Sequence, residues 1–150
     1  MKTIKNTMVI FTFIIILTNN LYSDDFWEQI TGPDCGASII KIAPDGNLYA
    51  GCSVISTNDG DSWEIIKFKK SYYFLNGFDI DSFGNLYSIL KDYGNNTLFL
   101  YISTDKGVSW SSNEFGSEKE SISSLMVAND TTIFVVMNTF IKKITLTQLG

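Results

Sequence analysis

The eight residues Ser103-Thr104-Asp105-Lys106-Gly107-Val108-Ser109-Trp110 have an earlier near-copy, Ser56-Thr57-Asn58-Asp59-Gly60-Asp61-Ser62-Trp63, and the two tryptophans lie 47 residues apart. Both blocks read Ser-x-Asx-x-Gly-x-Ser-Trp and match at every defined position. A period of that length marks a repeat architecture, in which one supersecondary unit recurs because no single copy can bury its own apolar faces. The block has the chemistry of a tight strand-to-strand turn. The Asp105 carboxylate can accept backbone N–H bonds ahead of it, and Gly107 supplies the positive φ that such a turn needs. Trp110 then opens the next strand as a large apolar anchor whose indole N–H needs an acceptor. In the first copy Asn58 offers an amide oxygen to the same donors without the charge. Ser56, Asn58, Gly60, Trp63, Ser103, Asp105, Gly107 and Trp110 are therefore read as structural residues of two turns.

A second element repeats in step with the first. Ala43-Pro44-Asp45-Gly46-Asn47-Leu48-Tyr49-Ala50 is echoed by Asp81-Ser82-Phe83-Gly84-Asn85-Leu86-Tyr87-Ser88 and, in degenerate form, by Ala128-Asn129-Asp130-Thr131-Thr132-Ile133-Phe134-Val135. Each is a polar turn feeding an apolar and aromatic run, which is a hairpin signal. Each also follows a tryptophan (Trp27, Trp63, Trp110) at a similar distance, so three units can be laid over one another. Val/Ile/Phe/Tyr-rich runs between turn residues predict strands near 37–43, 47–52, 53–57 and 62–68 in the first unit. In the second they fall near 74–80, 85–90, 98–103 and 109–113, and in the third near 121–127, 132–137 and 140–147. Outside the N-terminal segment no run has apolar residues at helical spacing.

The eight-residue block resembles the Asp-box, or BNR repeat, of bacterial sialidases, sortilin-type receptors, some glucan hydrolases and photosystem assembly factors. In those families it links the third and fourth strands of a β-propeller blade. The resemblance covers the region after residue 24. The copy ending at Trp110 carries Ser109 where Thr is commoner, and the copy ending at Trp63 departs at Asn58 as well. The fold it implies is all-β: a partial β-propeller of about three four-stranded antiparallel blades with Asp-box turns, spanning 24–150 and incomplete at the C-terminus. Closed propellers have about four to eight blades. The expected partners are therefore the remaining propeller blades or a second copy, and Asp25-Phe26-Trp27-Glu28 is expected to form an outer strand closing the last blade.

Residues 1–23 read differently from the rest. Lys2 and Lys5 precede the apolar stretch Met8 to Leu17, which is too short to span a bilayer comfortably. This is the pattern of a secretory signal peptide, with cleavage near Ser23. The expected location is secreted, periplasmic or cell-surface, with no stable membrane insertion after removal of the signal; an uncleaved N-terminal anchor is the rival reading. Cys35 and Cys52, the only cysteines, can then close a disulfide. Two free buried thiols are the alternative, and without histidine they make at most half a zinc site.

The formal charge of −5 argues against nucleic acid as a partner. Sialidases of this fold hold the substrate carboxylate with an arginine cluster. This chain has no arginine, and lysine does not reproduce a bidentate carboxylate clamp. Serine- and cysteine-hydrolase chemistry lacks its histidine. Paired-carboxylate hydrolysis depends on spacing, and the candidates Asp79, Asp81, Asp92 and Glu114 are expected in or beside turns as solubilising and hydrogen-bonding acids. The run Asp79-x-Asp81-x-x-Gly84 is a poor calcium loop because Phe83 takes a ligand position. The expectation is a non-enzymatic, exported module that binds protein or carbohydrate or serves as structure, without catalytic residues, metal or cofactor. The alternative is a fragment of a propeller glycoside hydrolase whose catalytic residues lie outside this chain. A binding rim is expected on the connections carrying Lys69, Lys70, Tyr72, Tyr73, Lys91 and Tyr93, where aromatic faces mix with mobile donors.

Overall fold

The computed structural model describes residues 32, 37–51, 53–66, 77–92, 94–117, 121–129 and 131–146, all within the compact unit Thr31–Gly150. Eleven strands form three antiparallel sheets: β1 (Ile40–Ile42), β2 (Leu48–Ala50), β3 (Val54–Ser56) and β4 (Glu64–Ile65); β5 (Phe78–Ile80), β6 (Leu86–Asp92), β7 (Thr97–Ser103) and β8 (Ser111–Ser117); and β9 (Ile122–Asn129), β10 (Thr132–Met137) and β11 (Ile141–Thr145). In each sheet neighbours in sequence are neighbours in space, and no sheet closes on itself. The fold is all-β, a partial propeller of two four-stranded blades and a third with three described strands.

Every expected strand that falls on described residues is present, with different lengths. The first sheet is shorter than its sequence pattern, and β6 to β8 run longer. The β6–β7 ladder continues through the pairs Lys91–Leu98 and Asp92–Thr97 before turning, so Lys91 is a strand residue and not part of the connection. Asp79 lies within β5, two residues before the turn that starts at Asp81, and Glu114 lies within β8, three residues past its start. The segments 25–28 and 67–76 and the cysteines lie outside the described residues.

Residues paired across an antiparallel ladder share a face, and alternate residues along a strand point oppositely. Tyr49 and Ile55 on the first sheet therefore face the second. There, with Ala43 and Ile66, they pack against Phe78, Ile80, Leu86 and Trp110. The Tyr49 and Phe78 rings meet at 6.1 Å in a tilted arrangement. The opposite face of the second sheet carries Tyr87, Ile89, Leu98 and Leu100, which bury against Leu125, Ile133, Val135, Met137 and Ile144 of the third. A Cβ on Gly77 would stand 3.2 Å from the Leu125 Cβ, so the approach of these two sheets depends on a residue without a side chain there. Core and stacking are thus the same thing here: apolar layers between successive sheets.

Asp79 ties the strands nearest the sheet junctions together. Its Oδ1 meets Lys41 Nζ of β1 at 3.0 Å, and its Oδ2 accepts the Val127 N–H of β9 at 2.8 Å. One largely buried carboxylate thereby joins all three sheets. Breaking such a pair by removing one partner costs far more than the pair contributes, because the other charge stays buried.

Candidate functional site

The turns between third and fourth strands are built alike from the residues up. Ser103 Oγ donates to Asp105 Oδ1 at 2.8 Å and accepts the Gly107 N–H at 2.8 Å. The Asp105 carboxylate also accepts the Ser109 N–H at 2.8 Å and the Ser109 hydroxyl at 2.5 Å. In the other copy Ser56 Oγ donates to Asn58 Oδ1 at 3.0 Å and accepts the Gly60 N–H at 2.9 Å, while Asn58 Oδ1 accepts the Ser62 N–H at 3.0 Å. Two residues in each turn take the left-handed conformation, Asp59 and Gly60 in one and Lys106 and Gly107 in the other. The opening serines, buried in both copies, are the hubs of these turns, a role their residue type alone does not announce. The Ser109 hydroxyl, followed by its N–H and the Ser103 hydroxyl, holds the Asp105 carboxyl below the usual carboxylate range.

The turns between first and second strands use the acid in two positions. In one, Asp45 accepts the Asn47 N–H and amide; in the other, Asp81 accepts the N–H groups of Phe83 and Asn85, the Asn85 amide and the Tyr87 hydroxyl. Asp92 accepts the Gly94 N–H. Asp79, Asp81 and Asp92 are thus engaged by their own chain, and among the described residues no three His, Cys, Asp or Glu side chains converge on a metal-sized site. Of the expected rim, Lys91 is described: it is half-buried on β6, on the face that looks toward the third sheet. Lys69, Lys70, Tyr72, Tyr73 and Tyr93 lie outside the described residues, as do Cys35 and Cys52.

Laying the three sheets over one another by ladder register exposes a different surface. Ile40, Phe78 and Leu125 are equivalent, since each pairs with the residue two past the turn-facing Leu48, Leu86 or Ile133. Phe78 is 1% and Leu125 3% exposed, each covered by the preceding sheet, whereas Ile40 is 60% exposed. Leu86 and Ile133 are fully buried and Leu48 is not. At the other end of the stack Tyr49 and Tyr87 are buried under the following sheet, while their equivalent Phe134 is only half-buried. Leu100 is 0% exposed, and its counterpart Ile141 is 66% exposed. The first sheet thus exposes Ile40 and Ile42 and leaves Leu48 half-buried, while Ala50 and Val54 on the same face are buried; the third exposes Met126 and Ile141 and leaves Phe134 and Val136 half-buried, beside the exposed Lys143.

Fully covering a side chain of this kind stabilises by about 1.5–3 kcal/mol over leaving it in water. The two faces together therefore hold a driving force on the order of 10 kcal/mol, comparable to the cost of associating two molecules. No protein-family model matches the chain, and no curated protein matches it in sequence.

Proposed function

We propose that the chain is an exported, non-enzymatic propeller segment of the BNR-repeat type, and that it works as a protein-binding or structural module through the apolar side chains that its first and third sheets expose. The observation that carries this is the contrast at equivalent positions, Phe78 and Leu125 covered and Ile40 bare. Export is supported by the basic and then apolar start of the sequence. The family assignment is supported by the two Ser-x-Asx-x-Gly turns, which close third-to-fourth strand connections with the same bonds. A binding role is favoured over hydrolysis because Asp79, Asp81 and Asp92 already accept hydrogen bonds or an ion pair from their own chain.

Photo-crosslinking side chains placed at Ile42 and Ile141 test the reading directly, with Glu64 and Glu114 as controls on the outer strands. Covalent protein adducts are expected from positions 42 and 141 and not from the controls. Face probes that react only with solvent would overturn it.

A further inference from the structure

We infer that Asn95 and Asn129 are acceptors of N-linked glycans, added as the chain is exported; this rests on the export reading just proposed. The sequence holds two Asn-x-Thr tripeptides without proline at the middle position, Asn95-Asn96-Thr97 and Asn129-Asp130-Thr131. Such a tripeptide is the acceptor pattern of oligosaccharide transfer to exported chains, and it belongs on surface loops. Asn95 lies in the connection between β6 and β7, and Asn129 ends β9 where the chain turns into β10. Both are exposed.

The use of each amide separates these two from the asparagines that build turns. Asn47, Asn58 and Asn85 donate through their amide nitrogens within their own turns, to Asp45 at 2.9 Å, Ser62 at 3.0 Å and Asp81 at 2.8 Å. Asn95 and Asn129 are held from the other end. The Asn95 Oδ1 accepts the Thr97 N–H at 3.0 Å, and the Asn129 Oδ1 accepts the Thr131 N–H at 3.1 Å and the Thr131 hydroxyl at 3.0 Å. Among the described residues neither amide nitrogen donates to a neighbour. The threonine of each tripeptide thus fixes the oxygen, and the nitrogen, the atom that takes the sugar, is the unengaged end. At Asn129 the hydroxyl that defines the tripeptide lies against the amide it qualifies.

The donor comes from outside the chain, an oligosaccharide joined to a polyprenyl diphosphate and presented by a transferase. The asparagine Nδ2 forms a bond to the anomeric carbon, and the bond from that carbon to the diphosphate breaks. The diphosphate leaves with the electron pair, and the amide releases one proton. Asn129 and Thr131 are both exposed in the folded chain, whereas Thr97 is buried in the ladder between Asp92 and Ser117. Transfer to Asn95 therefore precedes closure of the β6–β7 ladder, as in a chain modified while it crosses a membrane unfolded. Neither asparagine belongs to the apolar layers between sheets, so a bulky hydrated glycan at either position leaves the core packing intact.

The test is peptide mass analysis of the full chain from the exported and cytoplasmic fractions of its own cells, for the parent and for Asn95→Gln, Asn129→Gln, Thr97→Val and Thr97→Ser. In the exported parent, the peptides containing Asn95 and Asn129 should each carry a series of sugar-residue masses on the asparagine. Each change to glutamine should abolish the excess on its own peptide and leave the other unchanged. Thr97→Val should abolish it at Asn95, and Thr97→Ser should keep it. Exported parent chain with both peptides at their unmodified mass would overturn the glycans and leave the export reading standing. Sugar masses that survive the glutamine changes or Thr97→Val would lie on another atom and would equally overturn the assignment. Unmodified chain found only in the cytoplasm would remove export and the glycans together.

Discussion

The turn at Ser56–Trp63 and the turn at Ser103–Trp110 share their inner bonds and differ in the contacts that described residues make around them. In both, a buried serine hydroxyl donates to an Asx oxygen and accepts the glycine N–H four residues on. Among the described residues, only the second is packed against another sheet. A Cβ on Gly107 would lie 2.6 Å from Ile66 Cγ2 of the first sheet, and Lys106 Nζ meets Asp45 at 2.8 Å across the same boundary. The indoles differ as well: Trp110 Nε1 donates to the Gly107 carbonyl at 3.1 Å, whereas Trp63 Nε1 is buried with no partner among the described residues. The comparison separates what eight residues specify locally from what a neighbouring sheet adds. The bonds of the turn are local, and its sensitivity to change is not.

The largest effect expected from this difference is at the glycines. Both have positive φ, 94° for Gly60 and 89° for Gly107, so alanine at either carries a left-handed penalty of about 1–2 kcal/mol. At Gly107 the added methyl also strikes Ile66, and overpacking adds about 1–3 kcal/mol. Gly107→Ala should therefore lower the urea-unfolding free energy by about 2–5 kcal/mol, more than the left-handed penalty alone. Adding Ile66→Ala to Gly107→Ala should cost less than the sum of the two single changes. A Gly107→Ala loss no larger than the left-handed penalty, unchanged by Ile66→Ala, would show that the neighbouring sheet does not constrain this turn.

The serines should behave alike. Ser56→Ala and Ser103→Ala each leave a buried glycine N–H without its acceptor, a loss of about 1–3 kcal/mol. Denaturation midpoints that fall by similar amounts would sharpen the claim that this part of the turn is self-contained. A change confined to Ser103 would break it.

Much of this was legible in the sequence, for physical reasons. Turn residues at fixed offsets and short β-branched or aromatic runs marked the strands, because these signals act within a few residues. The recurrence of the tryptophan block set the repeat. What the sequence hid is non-local. Asp79 looked like one more acid beside a turn, because the amine of Lys41 and the N–H of Val127 that hold it come from strands on other sheets. Lys91 reads as a loop residue because nothing in its neighbourhood shows that the β6–β7 ladder runs two pairs further. Ile40 reads as an ordinary core isoleucine, and its exposure stands out only when ladder register places it beside Phe78 and Leu125.

The charge difference between the turns gives a smaller, pH-dependent effect. Asp105 loses its proton more readily in the folded chain than in the unfolded one, chiefly through the Ser109 hydroxyl and N–H. In the window between the two values the unfolded state binds more protons, so stability rises with pH there. The contribution is therefore complete above the ordinary Asp range, near about 4, and is lost as pH falls through the lowered folded value. Asp105→Asn should flatten this acid limb in melting temperature against pH, and Asn58→Asp should add a second one. A limb that persists unchanged in Asp105→Asn would assign it to other carboxylates.

The ion pair between Lys106 and Asp45 should matter least, although it is the most direct polar link across this rim. Lys106 is mostly exposed, and pairs of this kind contribute about 0–1 kcal/mol because solvent and salt screen them. The Lys106 hydrogen bond is the leading cause that lowers the Asp45 carboxyl, ahead of the Asn47 N–H, so part of the carboxylate's stabilisation survives without the lysine. Lys106→Met isolates the pair better than a change at Asp45, which would also remove the acceptor that closes its own turn on Asn47. The expected loss is at most about 0.5 kcal/mol at low ionic strength, vanishing near 1 M salt as screening shortens to about 3 Å. A larger, salt-independent loss would mean that the lysine stem packs at the rim. The second turn would then depend on its neighbour through side-chain packing at Lys106 as well as through the contact of Gly107 with Ile66.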